Sequence, residues 1–123
     1  MKLRIKDQSV RFRLTQNEVR QLLTTSKISA STYLGSKTLS YEIEGVTGSS
    51  CNCLFKDEKI CIHIPINSLN AWCSSDQISL QYELRDSERF PSLQILIEKD
   101  FKCLIERTGE DESDLYPNPQ ALQ

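Results

Sequence analysis

Residues on which many enzyme sites depend are scarce in this sequence of 123 residues. It has four glycines and no glycine-rich motif, so a phosphate-binding loop is not predicted. His63 is its one histidine, which leaves no second histidine for a catalytic pair. Its five cysteines are odd in number and unevenly spaced, which is not typical of a disulfide framework. The sequence therefore argues against a glycine-rich phosphate loop, a catalytic pair of histidines and a disulfide framework.

The segments that carry proteins into or across membranes are also missing. Residues 1–7 contain no apolar core of a signal peptide. No run of the sequence approaches the roughly 18 apolar residues that a membrane-spanning helix needs. We therefore expect one domain in the reducing cytoplasm with no membrane partner, large enough to fold without disulfides or a structural metal.

Charge is unevenly distributed along the chain, although the formal net charge is only −2. Residues 1–37 carry eight Lys or Arg and two Asp or Glu, a net charge of +6. Residues 38–123 carry seven and fifteen, a net charge of −8. Two interpretations stay open: the first part binds an anionic partner, or the two parts neutralise each other in the fold.

The most regular pattern lies in residues 2–14, where apolar and charged side chains alternate strictly. Such alternation predicts a β-hairpin with one buried side, here with its turn at Asp7 and Gln8. Arg4 would then lie opposite Arg11, which is unfavourable by about a few tenths of a kcal/mol. The exposed side, which we call the basic face, carries five cations: Lys2, Arg4, Lys6, Arg11 and Arg13.

Three sources of negative charge could compensate the basic face. Neighbouring strands could supply four acidic partners: Glu42, Glu44, Glu83 and Glu98. The acidic C-terminal tail, residues 106–123, could lie across the hairpin, with Leu115 and Tyr116 as anchors. The third source is an external anion such as phosphate, which makes the five cations candidate anion-binding residues. Nucleic acid is disfavoured as that anion, because no aromatic residues are interleaved with the cations and the pI is about 5.4.

The pattern of the first half recurs at an offset of fifty residues. Six of about 35 positions are identical at this offset, and the apolar positions match more widely. Residues 2–45 and 51–99 are therefore predicted to be two copies of one strand–strand–helix–strand–strand unit. We expect a single α+β domain over residues 1–105, with eight mainly antiparallel strands that could close into a barrel. Its two short helices would cover the apolar face, and its polar face would meet solvent or line a lumen.

The spacing of Cys51, Cys53, Cys61 and His63 could suit a zinc site. With a hairpin turn at residues 57–58, however, Cys51 and Cys53 point to the apolar side. Cys61 and His63 then point to the opposite side, so the four cannot share one ion. We therefore predict no metal and no cofactor. A Cys61–His63 nucleophilic pair is conceivable, but neighbours on one strand face seldom form one.

Two stretches resemble a family of small bacterial proteins of unknown function. The first is KLRIKDQSVRFRLTQNEV at residues 2–19, and the second contains EKDFKCL and EDESDLYPNP within residues 98–119. The resemblance implies a bacterial origin and an acidic tail that belongs to the protein, and it implies no activity.

The predicted architecture also resembles the duplicated barrel of the CYTH and triphosphate-tunnel proteins. In that family a polar lumen binds polyphosphate through Arg and Lys, and acidic residues hold the metal. The family's Glu-x-Glu-x-Lys signature is replaced here by KLRIK at residues 2–6. The resemblance therefore does not extend to the metal-binding carboxylates.

Two functions stay open. The favoured one is a small non-catalytic cytoplasmic binding or interaction protein, whose tail docks in cis or on a protein partner. The alternative is a tunnel-like protein that binds polyphosphate, a nucleotide or another phosphorylated small molecule, and that could be a phosphohydrolase.

Overall fold

The computed structural model describes residues 1–85, 88, 90–101 and 113–119. The elements within these residues follow the predicted order of two strand–strand–helix–strand–strand units. The first unit contains β1 (Lys2–Lys6), β2 (Ser9–Leu14), α1 (Gln16–Thr25), β3 (Lys27–Tyr33) and β4 (Thr38–Val46). The second unit contains β5 (Asn52–Lys56), β6 (Lys59–Pro65), α2 (Ile66–Cys73), β7 (Ser79–Leu84) and β8 (Leu93–Lys99). The α+β class is thereby confirmed.

The described strands form two four-stranded sheets rather than a closed barrel. Sheet A has the strand order β1-β2-β8-β7, and sheet B has the order β3-β4-β6-β5. Of the six strand pairs in the described residues, four are antiparallel, while β2–β8 and β4–β6 are parallel. Each sheet combines a hairpin from one unit with a hairpin from the other. Alternation within a strand does not encode such a pairing, because it indicates which face is apolar and not which strand lies alongside. In sheet A the two hairpins are also distant in sequence.

The predicted registers of the hairpins are confirmed. Arg4 pairs with Arg11 between β1 and β2, and Phe55 pairs with Ile60 between β5 and β6. In the β3–β4 hairpin, Ile28 pairs with Ile43. Because successive side chains on a strand point to opposite faces, each register sends one set of side chains inward.

One hydrophobic core lies between the inner faces of the two sheets and the two helices. The rings of Phe12 in sheet A and Tyr41 in sheet B lie 6.4 Å apart, so the sheets contact each other directly. The helices add Val19, Leu22, Leu69 and Trp72 to this core. The polar faces of both sheets consequently point outward. Within the described part of the chain, no helix is long and apolar enough to cross a membrane.

Part of the C-terminal tail completes the N-terminal cap of α1. A capping box begins this helix: the Glu18 amide donates to Thr15 Oγ1 at 3.3 Å, and the Thr15 amide donates to Glu18 Oε1 at 2.9 Å. The next two free amides of the helix donate to Asp114, that of Gln16 to the main-chain oxygen (3.1 Å) and that of Asn17 to Oδ1 (3.3 Å). The tail therefore supplies hydrogen-bond acceptors for the helix amides that the capping box leaves unsatisfied.

The anchoring residues of the tail lie beside the end of β8. Leu115 is buried, and the Tyr116 amide donates to the main-chain oxygen of Asp100 at 2.7 Å. Residues 113–119 thus pack at the start of α1, in cis. The rest of the predicted tail, residues 106–112 and 120–123, lies outside the described residues.

Candidate functional site

The basic face forms part of the outer face of sheet A. Strand alternation places Lys2, Arg4 and Lys6 of β1 on this side, opposite Leu3, which packs against the core. Arg11 and Arg13 of β2 join them, because they pair in register with Arg4 and Lys2. The sequence-predicted cations are therefore neighbours on one surface.

A cavity of about 400 Å³ lies on this surface, and we call it the basic groove. Its volume is within the range of about 300–1,000 Å³ that is usual for small-molecule sites. Strands β1 and β2 form one side of the groove, and β8 and β7 form the other. The side chains that define the two sides are Arg4, Lys6 and Arg11 on the first and Gln81, Gln94 and Leu96 on the second.

A second cavity of about 280 Å³ continues along the same hairpin. Lys2, Leu3 and Arg13 line it, together with the same Arg4 and Arg11 that line the basic groove. The shared arginines therefore stand between two concave regions of one cationic surface.

Two carboxylates partly neutralise the basic face. Glu98 on β8 binds two arginines through one oxygen: Arg13 Nε is 2.8 Å from Oε1, and Arg11 also contacts it. Asp100 is 2% exposed, and its Oδ2 lies 3.1 Å from Lys2 Nζ. That oxygen lacks a partner with hydrogen-bond geometry, so the contact with Lys2 is a charge pairing rather than a hydrogen bond.

Positive charge remains in excess on the basic face. Its five cations meet two carboxylates, an excess of three charges. Within the described residues, neither Arg4 nor Lys6 has an ion-pair partner. Both line the basic groove, which is the region with the least internal compensation.

The other three predicted acidic partners lie elsewhere. Glu42 and Glu44 project from the outer face of sheet B, which does not include the basic face. Glu83 is on β7 of sheet A, but its Oε1 lies 3.7 Å from Arg85. The structure brings only Glu98 of the four predicted acids to the cations of the first hairpin.

Sheet B neutralises its own outer face. Glu42 is 4% exposed, and its Oε1 lies 3.4 Å from Lys27 Nζ and 3.1 Å from Lys59 Nζ. Burial alone would raise the pKa of the Glu42 carboxyl. The hydrogen bonds from Lys59 and Cys61 and the two lysine charges outweigh it and lower that pKa. Glu42 is therefore a charged carboxylate, and its ion-pair and hydrogen-bond partners all belong to the same sheet.

The two pairs of residues whose spacing could suit zinc lie on different faces of sheet B. Cys51 is buried and Cys53 packs against the core, whereas Cys61 donates to Glu42 Oε2 at 3.3 Å on the outer face. His63 Nε2 lies 3.5 Å from Glu44 Oε1 on that outer face. In the described ranges, no group of three or more His, Cys, Asp or Glu side chains is arranged to hold a metal ion.

Cys61 is expected to be a slow nucleophile. Burial, and then the hydrogen bond to the Glu42 carboxylate, raise the pKa of its thiol to about 11 from an ordinary value near 9. At pH 8 the reactive thiolate is then about a hundredfold rarer than in an unperturbed cysteine. Alkylation by iodoacetamide, followed at the Cys61 peptide by mass spectrometry, should be slower by roughly that factor in the folded protein than in urea.

The variant Glu42→Gln isolates the contribution of the carboxylate to this reactivity. It removes the negative charge and leaves Lys59 beside the thiol, so the pKa should fall and folded-state alkylation should accelerate. Equal rates in the folded and unfolded wild type would contradict the expected protection. Cys51 is a useful internal reference, because burial also raises its pKa to about 11 without contact with Glu42.

The sequence interpretation missed the second side of the basic groove. Gln81, Gln94 and Leu96 carry no charge or motif that would mark them as a site. The alternation in β8 does place Gln94, Leu96 and Glu98 on one face, which is a usable signal. The alternation does not indicate that β8 pairs in parallel with β2, and this pairing places that face of β8 beside the cations.

Comparison with known proteins gives a family but no function. The model of a family described as a family of unknown function, DUF7009, matches residues 1–120. The chain belongs to this family, which confirms the predicted membership of a family of unknown function. No curated protein and no solved structure matches the chain. The likeness to the CYTH and triphosphate-tunnel barrels thus has no support from these comparisons or from the two open sheets.

Proposed function

We propose that the protein is a non-catalytic binding protein that holds a small anionic ligand, such as a phosphorylated small molecule, in the basic groove. The observation that carries this proposal is that Arg4 and Lys6 lie in a concave surface and have no ion-pair partner among the described residues. Like charges placed side by side cost free energy unless something neutralises them. An anion bound between them would relieve that cost.

The arrangement of the arginines favours an oxyanion. Arg4 and Arg11 pair in register, so their guanidinium groups start from neighbouring positions on adjacent strands. A guanidinium presents a planar fork of donors that fits phosphate or carboxylate oxygens. Glu98 contacts Arg11 from the side away from β1, which orients this arginine and leaves Arg4 free to bind.

The chemistry of the lining supports binding rather than catalysis. The described residues that line the groove carry guanidinium, ammonium, hydroxyl, amide and aliphatic groups. A general base working near neutral pH is most often a histidine or a carboxylate. Holding an anion is therefore the task that these groups perform best.

We also propose that residues 2–45 and 51–99 arose by duplication of one unit. Replacing each strand of sheet A by its counterpart in the other unit turns the order β1-β2-β8-β7 into β5-β6-β4-β3, which is the order of sheet B. This correspondence supports the repeat seen in the sequence. We further propose that the protein is bacterial, as its sequence resemblance implies, and cytoplasmic. The four cysteines within the described residues are free thiols, which is typical of a reducing compartment.

Calorimetric titration with inorganic phosphate and tripolyphosphate tests the proposed binding. Loss of one charge-assisted contact costs about 1.5–3 kcal/mol, so Arg4→Gln should weaken binding about tenfold or more. The same variant removes a like-charge contact with Arg11. Without ligand it should therefore be more stable than the wild type by about a few tenths of a kcal/mol.

Lys6→Gln and Lys56→Gln form a matched pair for the control. Lys56 holds the corresponding place on β5 of sheet B, outside the groove. We expect Lys6→Gln to weaken anion binding and Lys56→Gln to leave it unchanged. Equal losses in the two variants, or failure of every anion tested, phenyl phosphate included, to bind at millimolar concentration, would overturn the proposal.

A further inference from the structure

We infer that the ligand of the basic groove is an anion carried by an uncharged, flat organic body, with the body lying over Leu96 between Gln81 and Gln94. This inference rests on the proposed anion-binding function and adds the chemical class of the ligand. It comes from a position-by-position comparison of the outer faces of the two sheets.

The two sheets use corresponding positions in different ways. In sheet B, Cys61 pairs in register with Glu42, whose carboxylate is held by two lysines. The corresponding register pair in sheet A is Arg11 with Leu96. The next outer pairs correspond too, because His63 pairs with Glu44 as Arg13 pairs with Glu98. Sheet A therefore has an aliphatic side chain at the place of the buried carboxylate that neutralises sheet B.

Charge changes abruptly across the groove. The cations Arg4, Lys6 and Arg11 lie on β1 and β2, and the uncharged Leu96, Gln94 and Gln81 lie on β8 and β7. Adjacent strands are about 4.8 Å apart, so the four strands span about 14 Å. The lining of the groove on β8 and β7 is uncharged, since Glu83 and Glu98 of these strands lie outside it. An inorganic anion would occupy only the cationic half. An extended polyanion would reach past Arg11 to the side of Leu96 and Gln81, where the described lining side chains are uncharged.

The uncharged half has the groups needed to hold a flat body. Gln81 pairs in register with Leu96, and Gln94 precedes it by two residues on the same face of β8. A half-buried leucine offers an apolar floor, while each glutamine amide can both donate and accept at the edge of a ring. Such sites are typically apolar with a few placed polar groups, which is the composition found here.

Titration calorimetry with four probes tests the inference: inorganic phosphate, tripolyphosphate, phenyl phosphate and benzoate. We expect phenyl phosphate to bind at least tenfold more tightly than inorganic phosphate. Leu96→Ala should remove most of that difference and leave the affinity for inorganic phosphate unchanged. Benzoate that matched phenyl phosphate would support the flat body and assign a carboxylate as the anionic group.

Leu96→Glu places a carboxylate where sheet B has Glu42. We expect it to abolish binding of every probe, because the groove would then contain its own counter-anion. Gln81→Ala is a second variant on the uncharged side, and it should weaken the binding of phenyl phosphate alone. Circular dichroism checks that each variant is folded.

Some outcomes would overturn the inference and leave the proposed function intact. One is tighter binding of tripolyphosphate than of phenyl phosphate. The other is an equal loss of affinity for phenyl phosphate and for inorganic phosphate in Leu96→Ala. Failure of every anion to bind the wild type would overturn both.

Discussion

Replacing Trp72 by alanine is expected to lower the free energy of unfolding by about 3–5 kcal/mol, the usual cost of removing a large buried aromatic side chain. Trp72 lies on α2 with no exposed surface, and it is among the largest fully buried side chains of the described core. Its Nε1 donates to the main-chain oxygen of Ile78 at 3.1 Å. Deleting the indole therefore creates a cavity and removes one of two hydrogen bonds to the Ile78 oxygen, which also accepts from the Lys99 amide at 3.1 Å.

The same indole supports a buried cation. Lys99 is 6% exposed, its Nζ lies 5.3 Å from the centre of the Trp72 ring, and it donates to the main-chain oxygen of Ser75 at 2.6 Å. Burial lowers the pKa of Lys99, so the neighbouring ring helps to keep the ammonium acceptable in this environment. Loss of Trp72 removes that support as well as the packing.

Denaturant unfolding followed by circular dichroism measures the effect of Trp72→Ala. Fluorescence is unsuitable, since Trp72 is the one tryptophan of the chain. Trp72→Phe keeps a ring in the core and should lose clearly less stability than Trp72→Ala. Leu23→Ala, on the exposed side of α1, should change the unfolding free energy by less than about 0.5 kcal/mol. A Trp72→Ala loss as small as that of Leu23→Ala would show that the core does not depend on α2.

A chain that ends at Thr108 is expected to lose about 3 kcal/mol or more of unfolding free energy. The deletion removes the Leu115 side chain, which is 5% exposed, and losses of buried leucine cost about 2–5 kcal/mol. It also removes Asp114, which accepts from two amides at the start of α1, and a helix cap contributes about 1 kcal/mol. The Tyr116 ring, 5.7 Å from Lys99 Nζ, is lost as well.

Two companion chains separate docking from a general effect of shortening. A chain ending at Pro119 keeps every described contact of the tail, and its unfolding free energy should equal that of the full chain. Leu115→Ala in the full chain should reproduce a large part of the loss seen with the Thr108 end. An unchanged unfolding free energy in the chain that ends at Thr108 would contradict docking in cis.

Much of the fold can be predicted from local sequence patterns. The alternation around Ile5 and Val10 predicts a hairpin register, and that register is present. Thr15 and Glu18 predict a capping box because, within one helical turn, each side chain can accept from the backbone amide of the other residue. These predictions succeed because the interacting groups are close in sequence, so the chain between them restricts the geometry.

The candidate site is harder to predict from the sequence, because its two sides come from opposite ends of the chain. The cations of the basic face follow from the pattern of one hairpin. Their neighbours were expected to include Glu42 and Glu44, which follow the first helix in sequence. In the fold those residues pair with lysines and with His63 on sheet B, and Glu98 reaches the arginines instead.

Local patterning was thus sufficient for the order of elements, the hairpin registers and the five cations on one side of β1 and β2. The assignment of hairpins to sheets arose only in the folded chain, through the parallel contact of β2 with β8. That contact joins strands with equivalent alternation, and several partners would satisfy the same alternation equally well. Packing of the whole core selects among them, and this selection places Leu96 and two glutamines beside Arg4 and Arg11.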